Sequence, residues 1–263
     1  MAPDPAWAAD RDLIVDAALE AGRLALGFFR ADPETWEKPD DAGPVTEADL
    51  AVDRLLAERL RAARPSYGWL SEETEDDPAR LGARSVFIVD PIDGTRAFID
   101  GKTGWAVAIA VAIAGEVVAA VVHLPARGET YAAAKGAGAT LNGAAITCST
   151  RQSPDGATAL GAASGYGAEH WPGGAPQVER AFRHALEWRL CLVAAGSFDL
   201  MATLRAAWEW DVAAGSLIAE EAGAKVSGAG GEGLVFNTET ARLPGLIVAP
   251  PAMHAELLRR RLV

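Results

Sequence analysis

Val86-Phe87-Ile88-Val89-Asp90-Pro91-Ile92-Asp93-Gly94-Thr95 decides the reading of this chain. The apolar, β-branched run reads as a buried strand. It enters Asp-Pro-Ile-Asp-Gly-Thr, where Pro91 forbids a continued central ladder and Gly94 permits a sharp turn. Thr95 is expected to N-cap a short helix. Asp90 and Asp93 then sit at the carboxyl end of a buried strand, the edge where open α/β sheets put ligands. Two fixed acids so close repel unless a cation or proton sits between them. Oxygen-only ligands suit Mg²⁺. The plainer alternative is a turn whose acids cap a helix. An EF-hand loop from Asp90 would need Gly and Glu where Thr95 and Gly101 stand. A haloacid-dehalogenase-type Asp-x-Asp-x-Thr has its acids one residue closer.

The surrounding chain has 263 residues, half of them apolar, enough for one large core or two intimate halves. We expect halves 1–145, with most metal ligands, and 146–263, with Asp211, in one compact unit. A net charge of −12 argues against nucleic acid or an anionic membrane as partner. Cys148 and Cys191 suggest core thiols rather than a disulfide framework. The first 30 residues lack a signal-peptide pattern, and no apolar span reaches 18 residues, so a soluble cytoplasmic protein is expected.

Upstream, Asp10 to Arg30 shows helical periodicity, ended by Asp32-Pro33. A polar, breaker-rich loop is expected over Glu37 to Pro44. A second helix starts at Thr46 and stops at Pro65. Asp49 falls along its buried stripe; a capping-box acid is the alternative, and both can hold. Trp69-Leu70-Ser71 approaches Glu72 and Glu73, and a solvated loop follows to Arg84. Downstream, 105–113 and 117–124 read as a hairpin turning at Ala114-Gly115-Glu116, with a strand over 129–134 and a turn-rich connection over 136–143. Strands are expected over 157–164 and 246–249, and helices over 177–187, continuing through 188–195, and over 252–262. Asp211 opens another helix, stopped by Gly223. The four histidines show no mutual ligand spacing.

Asp49, Glu72, Asp90, Asp93 and Asp211 thus stand at element ends or on an inward stripe. No Ser-His-Asp set, cysteine nucleophile, Walker loop or dinucleotide glycine pattern competes with them. Carboxylate-rich Mg²⁺ sites serve phosphoryl chemistry, and a metal pair about 3.5–4 Å apart clamps attacking and leaving oxygens.

Four motifs carry a resemblance: Pro44-Val45-Thr46-Glu47-Ala48-Asp49, Ser71-Glu72-Glu73, Asp90-Pro91-Ile92-Asp93-Gly94-Thr95 and Trp210-Asp211-Val212-Ala213-Ala214-Gly215. In order and spacing, over nearly the whole chain, they resemble the inositol monophosphatase superfamily of Mg²⁺-dependent, lithium-sensitive phosphatases. The resemblance implies a layered α-β-α-β-α sandwich, usually dimeric. It implies that Glu72, Asp90 and the Ile92 carbonyl hold one metal, and Asp90, Asp93 and Asp211 a second. A third, weaker ion would also lean on Glu72. Thr95, with Asp49 behind it, would orient the attacking water, and the Gly94 and Thr95 amides would receive the phosphate. Lys38 matches the lysine of a mobile loop over the metals. In-line attack by a metal-activated water, without a phospho-enzyme, is the implied mechanism.

The substrate markers diverge. Inositol monophosphatases carry a glutamate seven residues before the last metal aspartate, where this chain has Leu204. Their small Gly-Ser or Gly-Thr pair is replaced by His184 and Ala185. Ser71 and Glu209-Trp210-Asp211 are similar to bacterial 3′(2′),5′-bisphosphate nucleotidases, and Arg205 is a candidate for a second phosphate. Thr95-Arg96-Ala97-Phe98-Ile99 also resembles histidinol-phosphate phosphatases. The expectation is a nucleotidase acting on adenosine 3′,5′-bisphosphate, with inositol 1-phosphate and histidinol phosphate as alternatives. A non-catalytic metal- or phosphate-binding relative is the competing class. A dry pocket at Asp93 without a basic neighbour would count against the nucleotide.

Overall fold

The computed structural model describes residues 4–38 and 43–262. Helix α1 (Pro5–Phe28) starts five residues before the periodicity does, because Asp4 accepts from the Ala6 N–H and Pro5 fits the first turn. β1 (Thr35–Glu37) and β2 (Pro44–Thr46) form a small antiparallel ribbon. The expected loop therefore loses Glu37 and Pro44 to these strands, and its residues 39–42 lie outside the described residues. Helix α2 (Glu47–Ala63) follows, with Thr46 as its N-cap.

Seven strands make the first sheet, in chain order: β3 (Gly68–Ser71), β4 (Ser85–Asp93), β5 (Ala106–Ile113), β6 (Glu116–Leu124), β7 (Glu129–Ala134), β8 (Ala139–Leu141) and β9 (Ala144–Ile146). Only β3 and β4 run parallel; the other pairs are antiparallel. β8 replaces part of the connection expected over 136–143, and β9 follows it. Asn142 and Gly143, both at positive φ, form the two-residue turn that joins them.

β4 alternates strictly between two layers. Phe87 and Val89 face Ile14, Ala21, Val52 and Leu56 of α1 and α2. Val86 and Ile88 face the opposite core, shared with α4 (Leu186–Ala194) and α5 (Ala213–Glu221). Beyond those helices lies a second sheet of β10 (Thr158–Leu160), β11 (Glu179–Ala181), β12 (Leu200–Thr203), β14 (Lys225–Gly228) and β16 (Leu246–Ala249), in the order β11-β10-β12-β16-β14. Its outer face packs on Met253 and Leu257 of α6 (Pro251–Leu262). β13 (Ala207–Trp208) and β15 (Arg242–Leu243) form a short ribbon. The architecture is the expected α-β-α-β-α sandwich. Among the described residues no helix is long and apolar enough to cross a membrane.

Four local expectations are corrected. The helix over 177–187 does not form. Residues 179–181 add a parallel edge strand to β10, and α4 begins only at Leu186. The strand over 157–164 shortens to β10, since Gly161 turns at φ 147°. The solvated loop before β4 contains a 3₁₀ turn, Pro78–Gly82. Arg80 within it is buried, clamped by Asp76, Asn237 and the Thr238 carbonyl. Cys191 is buried as expected, but Cys148 is only half-buried; both are free thiols.

Candidate active site

The strand β4 does not end at Pro91. Its ladder with β5 slips between Asp90 and Asp93, so Pro91 sits in an irregularity where it owes no ladder bond. That slip lets two acids three apart approach the same spot. The turn that follows belongs to Gly94, at φ 93° and ψ 40°, which is the N-cap of α3 (Thr95–Ile99). Thr95 is therefore the first helical residue and not the cap. Its hydroxyl is free to face Asp49 Oδ1 at 3.3 Å and the Ile92 carbonyl at 3.2 Å.

A Cβ on Gly94 would stand 3.2 Å from the Gly104 carbonyl and 3.3 Å from the Ala185 amide nitrogen. Gly94→Ala is expected to destabilise the protein by roughly 1–2 kcal/mol through the left-handed backbone alone. It should also lower turnover by displacing the start of α3. Urea denaturation and phosphate release check the two effects.

Asp90, Asp93 and Asp211 each offer a carboxylate oxygen within 4.8 Å of the others. Asp90 and Asp93 are buried, and Asp211 is half-buried just before α5. Asp90 Oδ1 is buried with no hydrogen-bond partner among the described residues. Such an orphaned acceptor is costly in a dry interior. An oxygen-seeking cation is the partner its surroundings fit, since every donor converging there is a carboxylate.

The electrostatics agree. Burial, then Glu72, Asp93 and Asp211, push the Asp90 carboxyl well above its ordinary range. Burial and Asp211 push Asp93 up to about 8. Burial and Glu72 push Asp211 up to about 7. Repulsion of this kind is removed by protons or by a metal.

Glu72 stands beside this trio, near enough to raise two of its members, but its Oε1 is taken by Lys38. The Lys38 ammonium lies 2.7 Å from Glu72 Oε1 and 2.7 Å from Glu73 Oε1. Burial opposes its charge, yet the two glutamates hold its pKa above the ordinary lysine range. Lys38 thus supplies the local positive charge.

Asp49 is buried on the inward stripe of α2 and also caps it. Oδ2 accepts from the Thr46 amide at 2.9 Å and the Thr46 hydroxyl at 2.5 Å, closing a capping box. Oδ1 remains for Thr95. Burial lifts the Asp49 pKa to about 6, against the lowering bonds from Thr46.

Two residues absent from the sequence reading complete the surroundings. Arg189, buried on α4, has its guanidinium held by the Arg183 and His184 carbonyls. It shares a cavity of about 170 Å³ with Arg205, His170, Phe182, Ser164 and Leu204. The charges of Arg189 and Arg205 both lower the Asp211 pKa, and Arg189 lowers that of Asp93. A basic, aromatic-edged hollow therefore adjoins the acids. The second residue is Glu187, fully buried, whose pKa is raised by burial and by Asp93. Both are charges inside the apolar run Leu186–Ala194, an available signal in the sequence.

Comparison with known proteins agrees on the fold and divides on the substrate. The inositol monophosphatase family model matches residues 8–262. Histidinol-phosphatase of Chlorobaculum parvum is 39% identical over 141 residues, 53% of each chain. Inositol-1-monophosphatase of Rhizobium meliloti is 34% identical over 84% of this chain and 86% of its own. The 3′(2′),5′-bisphosphate nucleotidase CysQ of Aggregatibacter actinomycetemcomitans is 30% identical over 85% and 86%. The extragenic suppressor protein SuhB of Bartonella henselae superposes with a TM-score of 0.81, at 27% identity, over 97% of this chain and 98% of that one.

Proposed function

The chain belongs to the inositol monophosphatase family of phosphatases, and from that footing we propose that it is a Mg²⁺-dependent phosphomonoesterase whose substrate is a 3′(2′),5′-bisphosphate nucleotide. The observation that carries the metal reading is the unpartnered Asp90 Oδ1 among converging carboxylates. Asp90, Asp93, Asp211, Glu72 and the Ile92 carbonyl are the residues that would hold the ions. Bound Mg²⁺ supplies neutralisation of the phosphate dianion and acidifies a water.

The protein's own groups do the rest. The Thr95 hydroxyl, oriented by Asp49 Oδ1 and the Ile92 carbonyl, positions the attacking water, and Asp49 takes up the proton passed through it. The Gly94 and Thr95 amides, at the start of α3, receive phosphate oxygens. Lys38 sits over Glu72 and screens the incoming anion from its charge. The first half of the chain supplies the water-positioning groups, and the second supplies Asp211 and the arginines.

The choice among substrates rests on the cavity beside Asp211. Arg189 and Arg205 face one space, and the Arg205 charge makes that of Arg189 costlier. A second anionic group relieves that cost. Phe182, in contact with Arg189, gives an aromatic edge suited to a base. Inositol 1-phosphate has no second anion, and histidinol phosphate brings a cation.

The test is colorimetric phosphate release with and without Mg²⁺ on adenosine 3′,5′-bisphosphate, inositol 1-phosphate, histidinol phosphate and fructose 1,6-bisphosphate. The expected order puts the nucleotide first in kcat/KM. Metal-independent release sinks the metal reading, and preference for inositol 1-phosphate or histidinol phosphate sinks the nucleotide. Arg205→Ala should raise KM for adenosine 3′,5′-bisphosphate by about tenfold, the loss of roughly 1.4 kcal/mol from an exposed charge pair.

A further inference from the structure

Neither α4 nor α5 carries a side-chain cap of its own. Each helix is capped from elsewhere in the chain. Asp93 caps α4: the Leu186 N–H donates to Oδ1 at 2.9 Å and the Glu187 N–H to Oδ2 at 2.7 Å. Glu187 in turn caps α5: the Ala214 N–H donates to Oε1 at 3.0 Å and the Gly215 N–H to Oε2 at 2.5 Å. Asp211 lies immediately upstream of α5, its Oδ2 accepting from the Trp208 N–H at 3.2 Å. A continuous set of hydrogen bonds thus runs from Asp93 to α4, through the Glu187 side chain, to the start of α5 just after Asp211.

The backbone is built around this contact. A Cβ on Gly215 would stand 2.5 Å from Glu187 Oε2 and 2.5 Å from Leu190 Cβ, so only glycine admits the approach. Glu187 is fully buried beside other acids, where an ionised carboxylate is expensive. An apolar side chain would fill the same part of α4 at lower cost. What the acid provides in return is a fixed relation between two helix starts.

We propose that Glu187 is a positioning residue, setting the separation and orientation of Asp93 and Asp211 and thereby the affinity of the site for a divalent cation. This inference rests on the reading of those aspartates as metal ligands. It adds that the geometry between them is governed by a side chain that does not touch the ion. Both Asp93 oxygens are already oriented by α4 amides, so any shift of α4 against α5 changes the angle at which Asp93 meets Asp211. Glu187→Gln keeps the shape but turns one acceptor into a donor aimed at a backbone N–H. The two helix starts should then part slightly without a void.

Calorimetric titration of metal-free protein with MgCl₂ and MnCl₂ tests this, alongside thermal unfolding in EDTA. Glu187→Gln should bind about 10–100-fold more weakly, the range for groups that orient metal ligands. Its unfolding temperature in EDTA should stay within a few degrees of wild type, by the same argument that no contact volume is lost. Unchanged affinity with a lowered unfolding temperature overturns the proposal and leaves Glu187 a structural cap. Absence of divalent binding by the wild type overturns the metal reading itself, and this inference with it. If Glu187→Gln does not fold, Gly215→Ala disturbs the same contact with the acid retained, and the same loss of affinity is expected. Failure of both variants to fold assigns Glu187 to the fold alone and overturns the proposal.

Discussion

Replacing Asp90 with asparagine should reduce phosphate release by about 10³-fold or more, beyond the loss typical of removing one preorganised electrostatic group. The expectation follows from position. Asp90 is 1% exposed and is the last β4 residue paired with β5 before that ladder slips. Its Oδ1 has no partner among the described residues, while Glu72, Asp93 and Asp211 all press charge upon it. On the proposed reading it serves both metals, so its loss cannot be compensated from one side. Asparagine keeps the volume, removes the charge and points an N–H₂ among carboxylates that accept hydrogen bonds. The same substitution should therefore raise the stability of the metal-free protein while abolishing activity, the usual opposition between a strained site and its function. Phosphate release at saturating Mg²⁺ and urea denaturation in EDTA measure the two sides. Near-normal turnover would end the assignment of Asp90, and a fall in metal-free stability would contradict the electrostatic account.

The reasons some of this was legible in the sequence are local. β4 is long enough for its composition to speak, and its exit through Asp-Pro-Ile-Asp-Gly-Thr marks both a ladder irregularity and a left-handed turn. Asp49 could be placed because a capping box and a buried stripe use the same short spacing. The β5–β6 hairpin carried its own turn at Gly115. What escaped is non-local or too short to show a period. β11 is three residues long and exists because β10 offers a parallel edge, so its sequence reads equally well as helix. The N-cap of α5 comes from Glu187, 27 residues before the Ala214 amide it satisfies, and no window on α5 contains it. Arg80 looked like part of a solvated loop because its partner Asn237 is 157 residues away. Two signals were present and unread: the Asn142-Gly143 pair between β8 and β9, and the charges of Glu187 and Arg189 inside an apolar helix.

The metal-free protein should lose stability as pH rises from about 5 to about 8, and Mg²⁺ should abolish that loss. In the unfolded chain these carboxylates release their protons near pH 4. In the folded protein burial and mutual repulsion hold Asp49 to about 6, Asp211 and Glu73 to about 7, and Asp93 to about 8. Between those limits the native state binds more protons than the unfolded one, so the slope of stability with pH is negative. The stabilisation is complete below the unfolded values and is lost as pH passes the folded ones. A tenfold change in the acidity of one carboxyl corresponds to about 1.4 kcal/mol. The groups share one cluster, so their effects overlap and a net loss of a few kcal/mol is expected. For a chain of this size that lowers the unfolding temperature by on the order of 10 °C. Magnesium replaces the protons, and at a hundred times its dissociation constant it returns about 2.7 kcal/mol. Its effect on the unfolding temperature should therefore be large at pH 8 and small at pH 5, where protons already occupy the carboxylates. Scanning calorimetry in EDTA and in Mg²⁺ at both pH values gives four unfolding temperatures. A metal-free protein more stable at pH 8 than at pH 5, or an equal Mg²⁺ increment at both, would show that these acids do not form one coupled cation site.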